Sequence, residues 1–222
     1  MLLIEPISAQ DLKNQLDQEL QGLMTKVTDW RHHFHQYPEL SNREYKTQES
    51  IAEALIEMGL VPNTEYGITG VTAFIRGQNP GPLIALRADI DGLPVTEKLN
   101  LPFSSNVKTT YQGNAVGVMH ACGHDSHIAV LLGVASFLSR NTDKLNGDIL
   151  LIFQPAEEGA PEGEEGGAEL MLKQGLFEAE KPDAIFGMHV SNFKNGQIWT
   201  KPGPIMASAE AFRITVQGEQ TH

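Results

Sequence analysis

Apolar residues in the first quarter of the chain recur every three or four positions, which is the period of an α-helix. One helix is predicted over residues 8–36, with Ser8 as its N-cap and Pro38 as its stop signal. A second helical pattern covers residues 44–58, and Gly59 is placed to form its C-cap. We therefore expect this part of the chain to form two helices.

Short apolar runs follow, and they predict β-strands. Residues 71–76 and 82–87 form two such runs, joined by a turn rich in glycine and proline. Residues 149–153 and 184–188 are unbroken apolar runs, which are typical of strands covered on both faces. The sequence thus predicts four strands within one buried sheet.

Helical patterns separate these predicted strands. Residues 126–140 are apolar almost all round, which predicts a buried helix. Residues 167–174 predict a shorter helix that ends at Gly175. Strands that alternate with helices indicate an α/β fold.

The pattern changes near the C-terminus, where Phe212, Ile214 and Val216 alternate with polar residues. This alternation predicts a half-exposed strand of an antiparallel sheet. Because a lone strand cannot form a stable sheet, we expect a second domain to begin here and to be incomplete. The prediction assigns residues 1–206 to the first domain and residues 207–222 to the start of the second.

Composition narrows the class of protein. The 222 residues are 41% hydrophobic and 20% charged, as in globular proteins that bury a core. The net charge of −12 argues against a nucleic acid or an anionic membrane as partner. A single cysteine cannot form an internal disulfide, and neither a signal peptide nor a membrane span is predicted. These features predict a cytoplasmic protein.

Three segments carry candidate chemistry. The sequence HACGHD at residues 120–125 contains Cys122 and His124, and QPAEE at residues 154–158 ends in two glutamates. His189 follows another apolar run. Thiolate and imidazole suit a borderline-soft divalent ion, and metal hydrolases also need one free carboxylate to move protons. The combination predicts a metal-dependent hydrolase site.

The candidate residues share a position in the predicted fold. Asp89 and Asp91, the pair Glu157 and Glu158, and His189 each come just after a predicted strand. In open α/β sheets, ligands bind at the carboxyl ends of the strands. We therefore expect these side chains to meet at one edge of the sheet.

Each of these residues also has an ordinary structural interpretation. Cys122 could be a buried thiol, the two glutamates a solvated charge pair, and the two aspartates a turn cap before Pro94. We interpret the histidines of residues 32–35 as helix-face residues. His120 and His127 are expected to support the ligands or to fill space.

The motifs together resemble the M20 metallopeptidase family, and in particular its amidohydrolase branch of N-acyl-amino-acid, hippurate and auxin-conjugate hydrolases. The resemblance implies a zinc-peptidase-like catalytic domain, built on a mixed sheet flanked by helices, and the start of a small α+β satellite domain. The motifs run in family order along nearly the whole chain. They are HQYPELS (35–41), RADIDGLP (87–94), MHACGHD (119–125), FQPAEEG (153–159), GMH (187–189) and GEQTH (218–222).

The resemblance also implies roles for single residues. Glu157 matches the general base, and Asp91 matches an aspartate that supports the metal ligands. Asp89 stands where the wider clan has a histidine. His222 matches a histidine that reaches the active site of the partner subunit in family dimers. The residues that match metal ligands are Cys122, His124, Glu158 and His189.

The family pattern implies two Mn²⁺ or Zn²⁺ ions per site, small N-acyl amino acids or peptide-like substrates, and a homodimer. Family members run to roughly twice this length, so we expect the chain to be an incomplete form that lacks one further histidine ligand. Two alternatives remain open. One is an aminopeptidase, dipeptidase or carboxypeptidase of the same clan. The other is a truncated metal-binding protein without activity.

Overall fold

The computed structural model of the protein describes residues 9–207, 212 and 214–219. The chain divides into two compact units, Met1–Val190 and Ser191–His222. Besides a short 3-10 helix at Thr142–Lys144, the first unit contains all the α-helices and strands of the described residues. They are α1 (Ala9–Gln36), α2 (Tyr45–Glu57), β1 (Val71–Ile75), β2 (Asn79–Asp89), β3 (Lys108–Tyr111), β4 (Asn114–Gly117), α3 (His124–Ser139), β5 (Asn146–Gln154), α4 (Gly167–Lys173) and β6 (Ala184–Gly187).

The predicted helices are confirmed within one or two residues. Both glycines that were expected to end helices adopt the left-handed conformation, with φ of 79° at Gly59 and 89° at Gly175. Only glycine adopts this conformation without a steric penalty, so these two residues end α2 and α4 where the sequence predicts. The hairpin of β3 and β4 was not predicted, because its residues are mostly polar and exposed.

Four strands form one mixed sheet in the order β1-β5-β2-β6. β2 runs parallel to both β5 and β6, whereas β1 runs antiparallel to β5. The predicted mixed α/β class is confirmed. The two strands joined by the turn at 77–81 do not pair with each other, because β5 lies between them. A Cβ at Gly77 or Gly81 would clash with the backbone of Asn146 and Gly147, so these glycines allow β5 to approach.

Helices cover both faces of this sheet. On one face, α1, α2 and α3 pack on the sheet through a large apolar cluster that includes Phe34, Leu55 and Leu132. On the other face, Met171 of α4 packs against Ala85 and neighbouring strand residues. β2 and β5 are thus covered on both faces, and because they run parallel, with Asp89 opposite Gln154, they end at the same edge of the sheet.

One strand departs from expectation. β6 was predicted to be covered on both faces, but Ile185 is 55% exposed and Phe186 is 60% exposed. The prediction is wrong because β6 is an edge strand that bonds only to β2 among the described strands. Its unbroken apolar run is the same kind of signal that a covered strand gives.

In the second unit, Phe193 stacks on Trp199 with ring centroids 5.0 Å apart. The side chains of Phe212, Ile214 and Val216 are exposed, and none of these three residues lies in a strand. The assignment of residues 207–222 to a satellite domain stays a prediction. Among the described helices, none combines the length and the apolar character needed to cross a membrane.

Candidate metal centre

Three parallel strands end at the same edge of the sheet, and the candidate residues follow them. β2 ends at Asp89, β5 at Gln154 and β6 at Gly187. α3 begins at His124, so its N-terminal end lies at the same edge. The edge predicted from sequence is therefore where the candidate side chains meet.

His124 lies at the centre of the cluster and is fully buried. Its Nε2 atom lies 3.6 Å from Asp89 Oδ1, 3.7 Å from Glu157 Oε2 and 3.8 Å from Glu158 Oε1. These distances exceed hydrogen-bond length, and Nε2 has no hydrogen-bond partner. A buried ring nitrogen with three carboxylates around it, bonded to none of them, leaves room for a cation between them.

Asp91 contacts the second ring nitrogen of His124. The Nδ1 atom of His124 lies 2.9 Å from the backbone oxygen of Asp91 and 3.3 Å from its Oδ1 atom. Nδ1 therefore carries the proton and donates it to Asp91, which leaves the lone pair on Nε2. The Oδ2 atom of Asp91 accepts hydrogen bonds from Ser41 Oγ at 2.7 Å and from the Glu158 N–H at 3.0 Å.

The thiol of Cys122 faces His189. Its Sγ atom lies 3.3 Å from Nε2 of His189, and the Nδ1 atom of His189 donates to the backbone oxygen of Val190 at 2.6 Å. Gly123 separates Cys122 from His124 and has φ of 92°. A Cβ at Gly123 would also run into Val190. Glycine is thus required between the two candidate ligands for two separate reasons.

His127 is more closely tied to the cluster than the sequence indicated. Its Nδ1 atom lies 2.5 Å from Asp89 Oδ1, and its Nε2 atom accepts the Val190 N–H at 2.8 Å. Nδ1 therefore donates to Asp89, and His127 connects the end of β2 to the residue after His189. With both ring nitrogens bonded, His127 supports the cluster and is not free to act as a ligand. Its place three residues after His124 on α3 was the available signal.

Several acidic groups lie close together in the cluster, and they shift one another's pKa values. Burial raises the pKa of the Cys122 thiol to about 12, and Glu158, Glu157 and Asp89 add to the effect. Burial and the Asp89 carboxylate also raise the pKa of Glu157. Burial acts to raise the pKa of Asp89 too, but the hydrogen bond from His127 and the nearby His124 lower it to about 2. A cation would stabilise every one of these anionic groups.

Residues 85–219 match the pattern of the family described as Peptidase family M20/M25/M40. This match covers more than half of the chain. The chain belongs to this family. The resemblance inferred from the motifs is therefore confirmed, and so is membership of a group of hydrolytic enzymes.

Relatives of M20 type are similar along nearly all of this chain. Thermostable carboxypeptidase 1 of Saccharolobus solfataricus is 44% identical over 213 residues, which cover 93% of this chain and 51% of that protein. N-acetyl-L-cysteine deacetylase of Bacillus subtilis is 42% identical over 204 residues, which cover 91% of this chain and 45% of that protein. The chain thus spans about half the length of the curated relatives that it matches.

A solved M20 structure agrees with the fold. The Bacillus subtilis YXEP protein, described as a dinuclear metal binding peptidase, is 40% identical and aligns with a TM-score of 0.67. The alignment covers 77% of this chain and 44% of that chain. The mixed sheet flanked by helices is therefore a shared M20 architecture.

The residues of this M20 chain fit a divalent metal. Among the described residues, three overlapping groups hold their donor atoms within 4.8 Å of one another, and His124 belongs to all three. Sulfur, imidazole nitrogen and carboxylate oxygen are the donors that such ions take, and the unpartnered Nε2 of His124 points among them. The groups are Cys122–His124–His189, Asp89–His124–His127 and His124–Glu157–Glu158.

The structure brings together nearly all the predicted site residues of this M20 chain. The four predicted ligands, the predicted base Glu157 and both aspartates lie in or beside these groups. His222, the remaining predicted residue, lies outside the described residues. The helix-face interpretation of the N-terminal histidines agrees with the contact of His32, which stacks on Phe103, but His35 is buried and bonds Asp125 at 2.9 Å.

Proposed function

We propose that this chain carries the metal site of an amidohydrolase that cleaves the amide bond of small N-acyl amino acids or related conjugates. The observation that carries the proposal is one cluster in which two adjacent glutamates lie beside the other donor groups. Glu158 lies in one donor group with His124, with its Oε1 atom 3.8 Å from His124 Nε2 and its side chain 23% exposed. Glu157 stands next to it with its side chain 38% exposed.

In this proposal Cys122, His124, Glu158 and His189 would hold the metal. A divalent metal, when bound there, supplies Lewis acidity that makes a water molecule easier to deprotonate at neutral pH. Asp91 keeps the lone pair of His124 directed into the cluster through the hydrogen bond at Nδ1. Asp89 supports the same edge of the sheet through His127.

Glu157 is the proposed general base. A carboxylate bound to metal is no longer a free base, so adjacent glutamates with separate roles make chemical sense. Burial and the Asp89 charge raise the pKa of Glu157, which brings it nearer to the pH at which a base works best. Glu157 takes a proton from the attacking water and passes it to the departing amine.

The finer assignments follow from the same cluster. The group Cys122–His124–His189 overlaps the group His124–Glu157–Glu158 at His124, which supports two ions per site, in keeping with the description of the YXEP protein as dinuclear. The mixed donor set supports Zn²⁺ or Mn²⁺. The acidic net charge and single cysteine support a cytoplasmic enzyme. A homodimer in which His222 serves the partner's site belongs to the proposal as well.

Carboxypeptidase activity is the second candidate. It is favoured by the 44% identity to a thermostable carboxypeptidase, which slightly exceeds the 42% identity to the deacetylase. The two candidates share the metal cluster and differ in what occupies the acyl side of the scissile bond. A panel of N-acetyl amino acids and N-blocked dipeptides, compared by kcat/KM, separates them.

The test uses a version of the protein that spans the full length of its relatives, saturated with Zn²⁺ or Mn²⁺, and the same panel of substrates. Glu157→Gln should retain metal and lose most turnover, because an amide does not accept the water's proton. Glu53→Gln, at an exposed position of α2, is the control and should behave like the parent protein. Turnover of N-acyl amino acids that survives Glu157→Gln would contradict the proposal.

A further inference from the structure

One buried carboxylate close to the site has no part in the proposed chemistry. Glu44 is fully buried directly before α2. Its Oε1 atom accepts the backbone N–H of Ala156 at 2.9 Å, and its Oε2 atom accepts the hydroxyl of Thr69 at 2.6 Å. Glu44 therefore connects the start of α2 to the segment that leaves β5.

Ala156 adopts an unusual backbone conformation. Its φ is 49°, in the left-handed region that residues with a Cβ rarely adopt. Such a conformation persists only where surrounding contacts hold it. Ala156 comes directly before Glu157, so its conformation sets the direction in which Glu157 and Glu158 leave β5.

A second buried carboxylate holds the other side of the same turn. Asp91 Oδ2 accepts the N–H of Glu158 at 3.0 Å, as Glu44 Oε1 accepts the N–H of Ala156. The backbone N–H groups on both sides of Glu157 are thus each bound to a buried carboxylate. Ser41, in the same short segment as Glu44, donates to Asp91 at 2.7 Å.

We propose that Glu44 is a positioning residue, whose carboxyl group holds the strained Ala156 turn and thereby aims Glu157 and Glu158 at the metal site. The proposal rests on the proposed function of these two glutamates. Glu44 acts through Ala156 and touches neither substrate nor metal. It is the length of the side chain and its acceptor oxygen, more than its charge, that the geometry requires.

The test compares variants that separate length from charge. Glu44→Gln keeps an acceptor oxygen at the same distance, and the Thr69 hydroxyl can accept from the new amide. Glu44→Asp keeps the charge but withdraws it from Ala156 by one methylene. Glu44→Leu removes the acceptor. Glu39→Leu is the matched control, because Glu39 bonds the N–H of Thr47 at 2.8 Å near the same end of α2 and makes no bond to the turn.

Zn²⁺ affinity by competition with a chelating dye is the first readout, since it does not depend on turnover. Glu44→Leu and Glu44→Asp should weaken Zn²⁺ binding about 10- to 100-fold, the usual effect of removing a group that orients a metal ligand. Glu44→Gln and Glu39→Leu should stay within about threefold of the parent protein. For any amide substrate that the protein turns over, kcat should fall across the variants in the same order as Zn²⁺ affinity, and KM should change little.

Equal Zn²⁺ affinity in Glu44→Asp and Glu44→Gln would overturn the proposal. A loss of Zn²⁺ affinity in Glu39→Leu as large as that in Glu44→Leu would overturn it as well. If Glu44→Leu fails to fold, the Zn²⁺ affinities of Glu44→Asp and Glu44→Gln still test the proposal. A full-length version that binds Zn²⁺ but cleaves no amide contradicts the proposed function alone, because the order of affinities remains measurable.

Discussion

Glu44 gives the stability of the protein a specific pH dependence. Burial raises the pKa of this carboxyl from 4.5 to about 7, although hydrogen bonds from Thr69 and Ala156 act to lower it. Between these two pH values the folded chain holds a proton that the unfolded chain has lost. The contribution of Glu44 to stability is therefore fully present below pH 4.5 and is lost as the pH rises through 7.

The size of the effect follows from the shift. At 1.36 kcal/mol per pKa unit, the Glu44 contribution should fall by about 2.5 kcal/mol between pH 5 and pH 8. Glu44→Gln removes the titrating group and keeps a hydrogen-bond acceptor. The free energy of unfolding of the variant, relative to the parent protein, should therefore rise by about this amount over the same interval.

Urea unfolding of both proteins at pH 5, 6, 7 and 8, without added metal, measures this difference. All other titrating groups are common to the two proteins, so their contributions cancel. A difference that stays constant with pH would refute the reasoning, because it would mean that Glu44 is ionised over the whole range. A difference of the opposite sign would mean that the hydrogen bonds outweigh burial.

Substitutions at Glu158, Gly123 and His127 test the cluster further, with Glu157→Gln and Gly113→Ala for comparison. Glu158→Gln should weaken Zn²⁺ binding at least about tenfold, whereas Glu157→Gln should leave it nearly unchanged, as measured by dye competition. Gly123→Ala should destabilise the chain by about 2 kcal/mol or more, because left-handed strain adds to a steric clash. Gly113→Ala, at a similar φ in open space, should lose only about 1 kcal/mol in the same urea assay. His127→Leu should weaken Zn²⁺ binding about tenfold, and an unchanged affinity would show that this link is dispensable.

Local patterns predicted the elements of the fold well, since each helix depends on neighbouring residues. The helix over 8–36 and the glycine stop at Gly175 are examples. The order of the strands depends on contacts between residues far apart, and β1 and β2 illustrate this. Their connecting turn resembles that of a hairpin, yet Gly77 and Gly81 serve to admit β5.

The candidate ligands were predictable because their spacing and their place after strands are local signals. A supporting role was expected for Asp91 and considered for His127, but the specific contacts were not predictable. The bond from His127 to Asp89 joins residues 38 positions apart, so no local pattern indicates it. Glu44 looked like an ordinary first residue of a helix, and only the three-dimensional structure brings it to Ala156. Exposure of β6 was missed because edge and central strands can have the same apolar run.

Direct ligation of a metal by the cysteine tests the central claim most directly. Co²⁺ added to the parent chain should produce thiolate-to-cobalt charge-transfer absorption in the near ultraviolet, because Cys122 Sγ lies in one donor group with His124 and His189. Cys122→Ser should abolish that absorption and weaken Co²⁺ binding. Co²⁺ that binds without charge-transfer absorption, or absorption that persists in Cys122→Ser, would contradict the proposed metal centre.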